Sequence, residues 1–180
     1  MEKLYKIHGH DNMLQYVCAG NSIFTIHNVK TKGRFTYKSV KSKTKEHWWQ
    51  YVLTRPNNDQ NESYKFIGTF SHEKGFLHSS KSYIKNDALS VISLKWMFDN
   101  ISHIEDYPHF EFWHEGLCGC CGRKLTTPDS LRYGYGRRCM EHGIKNGTII
   151  ISDNQTEDYL QCIKPVIGKT IQHTKQLELF

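Results

Sequence analysis

The spacing of cysteines in the second half of the chain constrains its fold more than any other feature. Cys118 and Cys121 are separated by two residues and Cys139 follows after seventeen more, with His114 and His142 on either side. A dication needs borderline ligands held at roughly 2.0–2.3 Å, and a Cys-x-x-Cys turn presents two thiolates to one ion while a later helix start supplies a third. The pattern predicts a structural Zn2+ site. The stretch has few other apolar residues, so a metal staple also accounts for how it holds a shape. The fourth ligand stays open: His114 lies four residues before Cys118, and His142 lies three after Cys139 on the same helical face. Either imidazole completes a Cys3His tetrahedron, and Cys120 can replace a neighbouring thiol.

The residues around the cysteines suit that reading. Gly119 and Gly122 follow Cys118 and Cys121, letting the backbone fold back so that its amides face the sulfurs. Thr127-Pro128-Asp129-Ser130-Leu131 has the form of a helix start with proline in the first turn. Gly134-Tyr135-Gly136 then resets the chain before Cys139, which is placed at or near a second helix start, where the helix dipole favours thiolate.

A chain of 180 residues has room for one ordinary core, or one core plus a small stapled lobe. Its 24 Lys and Arg against 18 Asp and Glu give a formal charge of +6, a moderate excess that favours polyanionic partners. The N-terminus lacks the apolar core and cleavage site of a signal peptide, and no apolar run approaches the roughly 18 residues of a membrane span. The expected setting is therefore intracellular, with the six cysteines reduced.

The first hundred residues read mainly as strands, at Ser22 to Asn28, Arg34 to Val40, Trp48 to Thr54, Tyr64 to Phe70 and, briefly, Gly75 to His78. Lys30-Thr31-Lys32-Gly33 suits a hairpin with glycine at the turn, and Arg55 to Glu62 an exposed loop. Val91, Leu94, Phe98 and Ile101 recur at helical spacing after Asn86 and Asp87, which can cap the helix. The expected fold class is α+β: an antiparallel sheet covered by one helix, then a zinc-ribbon or treble-clef-like lobe and a C-terminal tail. The expected divisions are an N-terminal segment over 1–19, a β-rich domain over 20–103, a metal lobe over 108–151 entered by a strand at Phe110 to Trp113, a linker over 152–175 and a docking peptide over 176–180.

Two basic groups point to nucleic acid. Lys30, Lys32, Arg34, Lys38, Lys41, Lys43 and Lys45 crowd the first hairpin, where strand alternation puts Arg34, Thr36 and Lys38 on one face and Phe35 and Tyr37 on the other. The aromatics are expected in the core. Arg123, Lys124, Arg132, Arg137 and Arg138 surround the cysteines. Catalytic motifs are absent: no zinc-peptidase histidine pair, no phosphate-cradling glycine loop, no dinucleotide fingerprint and no deaminase signature. His8, His10 and Asp11 fall in a segment expected to fray. The reading is non-enzymatic.

Cys-Gly-x-Cys-Gly-Arg-x-Leu-Thr-x-Pro-x-Ser from Cys118, then Gly-x-Gly-x-x-Cys ending at Cys139, preceded by Trp113-His114-Glu115-Gly116, resembles a small cysteine-motif family of unknown function recurrent in bacteriophage and prophage proteins. The likeness extends over most of residues 19–143 and departs at Arg137-Arg138, where the family usually carries proline. It implies a phage or mobile-element origin, the cytoplasm of a bacterial host and a zinc lobe, with no established activity. Gln176, Leu177, Leu179 and Phe180 form a Gln-Leu-x-Leu-Phe peptide that resembles the segment by which replication and repair proteins dock on the bacterial sliding clamp. Together these features imply an adaptor or modulator working at DNA. The alternative is an anti-defence or host-takeover inhibitor that binds a host protein or nucleic-acid complex without the clamp.

Overall fold

The computed structural model describes residues 5–54 and 63–150. The expected loop at 55–62, the linker and the terminal peptide lie outside these residues. No described helix is long and apolar enough to cross a membrane.

Five strands, β1 (Asn21–Asn28), β2 (Arg34–Lys41), β3 (Trp48–Leu53), β4 (Tyr64–Ser71) and β5 (Gly75–His78), follow one another as a meander. Helix α2 (Leu89–Asn100) and a 3-10 segment (Ile101–Asp106) precede β6 (Phe110–His114), which pairs with β1. The sheet order is β5-β4-β3-β2-β1-β6 and every pairing is antiparallel. The strand that was expected to open the metal lobe is thus an edge strand of the main sheet. Its pairing sets the lobe against the start of β1.

Period-two alternation decides the faces. Phe24, Ile26, Tyr37, Val52, Phe70, Phe76 and Phe112 are all buried on the side covered by α2. That helix buries Val91, Leu94, Met97 and Phe98, and Phe98 stacks on Phe70 with ring centroids 4.1 Å apart. Burying each such side chain contributes about 1.5–3 kcal/mol. The Tyr37 hydroxyl donates to Ser90 O at 2.7 Å, which ties β2 to α2 and bears out its core placement. The helix starts later than expected: Ala88 stands at the N-cap with no side-chain bond, so Asn86 and Asp87 do not cap it. In the first hairpin the residue with positive φ is Lys32, at 61°, rather than Gly33. The turn is held instead by Asn28 Oδ1, which accepts from the Lys30 and Thr31 amides at 3.0 Å each.

The N-terminal segment is not frayed throughout. Helix α1 (His10–Val17) buries Met13, Tyr16 and Val17. It has no side-chain cap and only two turns, so its stability comes from packing rather than propensity. Tyr16 is wholly buried, and its hydroxyl donates to Leu117 O at 2.9 Å and lies 3.2 Å from Ile23 O. Its ring packs against Phe112, His114 and Tyr135. One side chain thereby joins helix, sheet and cysteine lobe.

One compact unit ends at His142 and a second begins at Gly143. In the second unit the described chain turns back at once, with the Thr148 and Ile149 amides donating to Gly143 O at 2.8 and 3.1 Å.

Candidate metal centre and nucleic-acid face

After β6 the chain forms a tight knuckle. Leu117 and Lys124 bridge as an antiparallel pair, the Cys118 amide donates to Arg123 O and the Gly122 amide to Cys118 O, each at 2.8 Å. Gly122 has φ 71°, a left-handed conformation that favours glycine and aims Cys121 back toward Cys118. The Asn21 amide donates to Gly119 O at 2.8 Å and the Gly119 amide to Gly134 O at 3.0 Å, stitching the knuckle to β1 and to the turn before Cys139.

Helix α3 (Pro128–Tyr133) begins as its sequence predicts. Thr127 is the N-cap in a capping box with Ser130, with proline in the first turn, and Gly134 closes the helix in the left-handed conformation. The chain then enters α4 (Arg137–Lys145), and Cys139 sits in its first turn.

These elements bring the ligand atoms of Cys118, Cys121 and Cys139 within 4.8 Å of one another. Tetrahedral thiolates at 2.3 Å from zinc stand about 3.8 Å apart, so the three sulfurs need only close slightly on an ion. The Gly136 amide donates to Cys118 Sγ at 3.3 Å. The Cys118 thiol is held well below the usual range, first by a hydrogen bond from Cys120 and then, against the opposing effect of burial, by the amides of Cys121, Gly136 and Cys120. Cys120 is pushed up by that same contact and by burial, and Cys139 by burial and the neighbouring sulfurs. A thiolate on one of these sulfurs opposes ionisation of its neighbours, and a dication held between them would remove that opposition. The donor set therefore fits a metal ion.

The two histidines are placed differently. His114 Nε2 lies 2.6 Å from Leu131 O, and its Nδ1 accepts from the Gly116 amide at 3.1 Å. Both ring nitrogens are engaged by backbone, and the side chain is 1% exposed. It serves as a core histidine that fixes α3 against β6, in place of the ligand role expected for it. His142 is exposed on α4, three residues after Cys139. The Cys120 thiol hydrogen-bonds that of Cys118.

The basic residues do not form one patch. Lys30 and Lys32 lie in the turn before β2, and Lys43 and Lys45 in the connection after it. The eight residues of β2 put roughly 25 Å between those ends. Lys41 is committed to Glu46 at 3.2 Å and to the Trp48 ring at 5.4 Å. Arg34 and Lys38 lie on the sheet face away from α2. Around the cysteines, Arg123, Arg132, Arg137 and Arg138 are exposed, with Arg137 paired to Glu141 at 2.9 Å and Arg132 over the Tyr133 ring at 5.7 Å.

The sequence reading missed what accompanies Arg34 and Lys38. Trp49, Tyr51 and Phe66 share their face, with Phe66 5.7 Å from both of the other rings. At the β1–β6 corner this face opens into a cavity of about 660 Å3 lined by Tyr5, His27, Arg34, Glu111, Trp113, His114 and Glu115. Glu111 is held there by Lys6 at 3.0 Å, His27 at 3.1 Å and Trp113 Nε1 at 3.2 Å.

Residues 109–142 match a family of unknown function, DUF6011. The match spans β6, the knuckle, α3 and the start of α4, and therefore all three clustered cysteines. No curated protein and no solved structure matches the chain.

Proposed function

We propose that this chain is a zinc-stapled, non-catalytic adaptor of phage or mobile-element origin that associates with DNA and docks on a bacterial sliding clamp through its last five residues. The observation that carries the reading is the cluster of three sulfurs within 4.8 Å of one another, with the exposed Arg123, Arg137 and Arg138 each one or two residues along the chain from a clustered cysteine. Zinc suits it because thiolate-rich sets select that ion. Closure by His142 or Cys120 would leave no coordination position for a reacting water, so the metal's role is to hold the knuckle against the sheet. The arginine rim offers charge to phosphates.

The clamp contact rests on the sequence of Gln176, Leu177, Leu179 and Phe180. Gln176 anchors at the mouth of a groove while the apolar side chains fill it. Leu179 and Phe180 each contribute about 1.5–3 kcal/mol of burial, so deleting both weakens clamp binding by roughly two orders of magnitude or more. The test is binding of a purified bacterial clamp by the intact and truncated chains, with a peptide of the final residues as competitor. Equal binding by both, or none by either, removes the clamp from the reading and leaves the host-directed inhibitor as its replacement.

A further inference from the structure

We infer that the sheet face opposite α2 is a binding platform for single-stranded DNA, on which Trp49, Phe66 and Tyr51 stack against bases while Lys38 and Arg34 meet phosphates. This deepens the DNA association proposed above and rests on it for the choice of DNA.

The register lays out the platform. One row across the sheet runs Ile23, Lys38, Tyr51, Phe66, and the next runs Val40, Trp49, Thr69, Leu77. Trp49 is 38% exposed and Leu77 51% exposed, while Tyr51, Phe66 and Lys38 are half-buried. The Trp49 ring is held edge-on by His47, centroids 4.7 Å apart, so little rotamer freedom is lost when a base settles on it. Toward the corner the rows continue as Trp113, Thr25, Thr36 and then Glu111, His27, Arg34.

Charge decides the kind of partner. Lysine is depleted at the centre of protein–protein interfaces, yet Lys38 sits in the aromatic row. Lys43, Lys45 and Lys74 are exposed in the connections at the Trp49 end; of the acids in those two connections, Glu46 is paired with Lys41 and Glu73 stands against them. At the opposite end the Glu111 carboxylate is paired with Lys6, while Glu115 accepts from the Thr25 hydroxyl and keeps its charge, which places the phosphate contacts toward Lys38 and the Trp49 end. Aromatic rings interleaved with cations on an open sheet match unpaired bases on a phosphate backbone. A duplex keeps its base faces stacked inside and has nothing to offer these rings.

The experiment is titration of the zinc-loaded full chain with a fluorescently labelled oligo-dT of about fifteen nucleotides, alongside a blunt duplex of equal length. Stacking contributes roughly 1–3 kcal/mol per base, so Trp49→Ala and Phe66→Ala each weaken binding by about ten- to a hundredfold, Trp49→Phe retains most of it, and Lys38→Ala lowers the log–log salt slope by about one. Thermal unfolding reports whether the alanine variants stay folded; if either does not, the Trp49→Phe and Lys38→Ala results decide. Unchanged affinity in folded Trp49→Ala and Phe66→Ala overturns the platform while leaving the arginine rim as the DNA contact. Equal affinity for duplex, or no binding of oligo-dT at low salt, also overturns it. Deleting residues 176–180 leaves the oligo-dT affinity unchanged, so failure of the clamp reading is read separately.

Discussion

Replacing Gly134 with alanine tests how rigidly Tyr16 is held, because two penalties fall on one site. Gly134 closes α3 at φ 76°, a conformation that costs an L-residue about 1–2 kcal/mol. An alanine Cβ there would stand 2.8 and 2.9 Å from Tyr16 Cε2 and Cδ2, and overpacking of that kind costs roughly 1–3 kcal/mol. The Tyr16 ring has nowhere to go, since it is fully buried and its hydroxyl is engaged by two carbonyls. Two further glycines separate the contributions. Gly75 has φ 66° with nothing within 4 Å of an added Cβ, so Gly75→Ala carries the backbone penalty alone; Gly119, whose added Cβ would meet the Tyr16 ring at 2.9 Å, carries the packing penalty alone. Gly134→Ala should then approach their sum, about 2–5 kcal/mol. For a chain of this size that lowers Tm by roughly 4–20 °C. Urea unfolding measures all three under one metal condition, with unchanged m-values licensing the comparison. If Gly134→Ala costs no more than Gly75→Ala, the Tyr16 ring yields freely and its role as the joint between α1, sheet and lobe is refuted.

The metal site predicts one zinc per chain by elemental analysis, abolished by Cys139→Ser; protein purified without chelator yet free of stoichiometric metal would refute it. His114→Ala should lower thermal stability while leaving zinc stoichiometry unchanged, because both of its ring nitrogens serve backbone groups; loss of zinc in that variant would return it to the ligand set. Burial pushes the Cys18 thiol from its ordinary 9.0 up to about 12, with Lys41 opposing. The unfolded chain therefore loses this proton first as pH rises. The contribution is complete below about pH 9 and is lost between there and about 12, so Cys18→Ala should flatten the alkaline fall of the urea midpoint, and identical alkaline limbs would refute the assignment. Alanine at Lys38, Lys41 and Lys43 should reduce the salt slope of DNA binding mainly through Lys38 and Lys43, since Lys41 is already paired with Glu46; a single Lys41→Ala change with the full effect would show otherwise.

Much of the sheet was legible because its strands bury one face under α2: Arg34 to Lys38 alternates polar and aromatic residues, and its two sets separate as that alternation requires. The capping box at Thr127 is equally local, so it survives folding unchanged. Helix α1 was hidden because nothing caps it; what stabilises it is the contact of Tyr16 with residues about a hundred positions away. The open aromatic face was hidden for a different reason. Trp48-Trp49-Gln50-Tyr51-Val52-Leu53 is apolar or aromatic on both faces, so the pattern marks a strand without saying which rings face outward. In the candidate metal site, the cysteine spacing fixed the cluster because a Cys-x-x-Cys turn has few conformations. The spacing of His114 carried no such constraint: its orientation is set by pairing with Phe24 on β1, which turns it into the core.

That pairing also orders events during synthesis. β1 has β2 beside it as soon as the first hairpin closes, but its other edge waits for residues 110–114, more than eighty positions later. The sequence of β1 holds no lysine, glutamate or proline to discourage a foreign strand, and pairings so distant in sequence form slowly. A ribosome-bound chain that ends before β6 thus presents Asn21–Asn28 as an unguarded edge, open to the same segment of another nascent copy. β6 and the cysteine lobe behind it act as the closing seam of the sheet, and a metal ion held by the three cysteines would be linked to whether that seam stays shut.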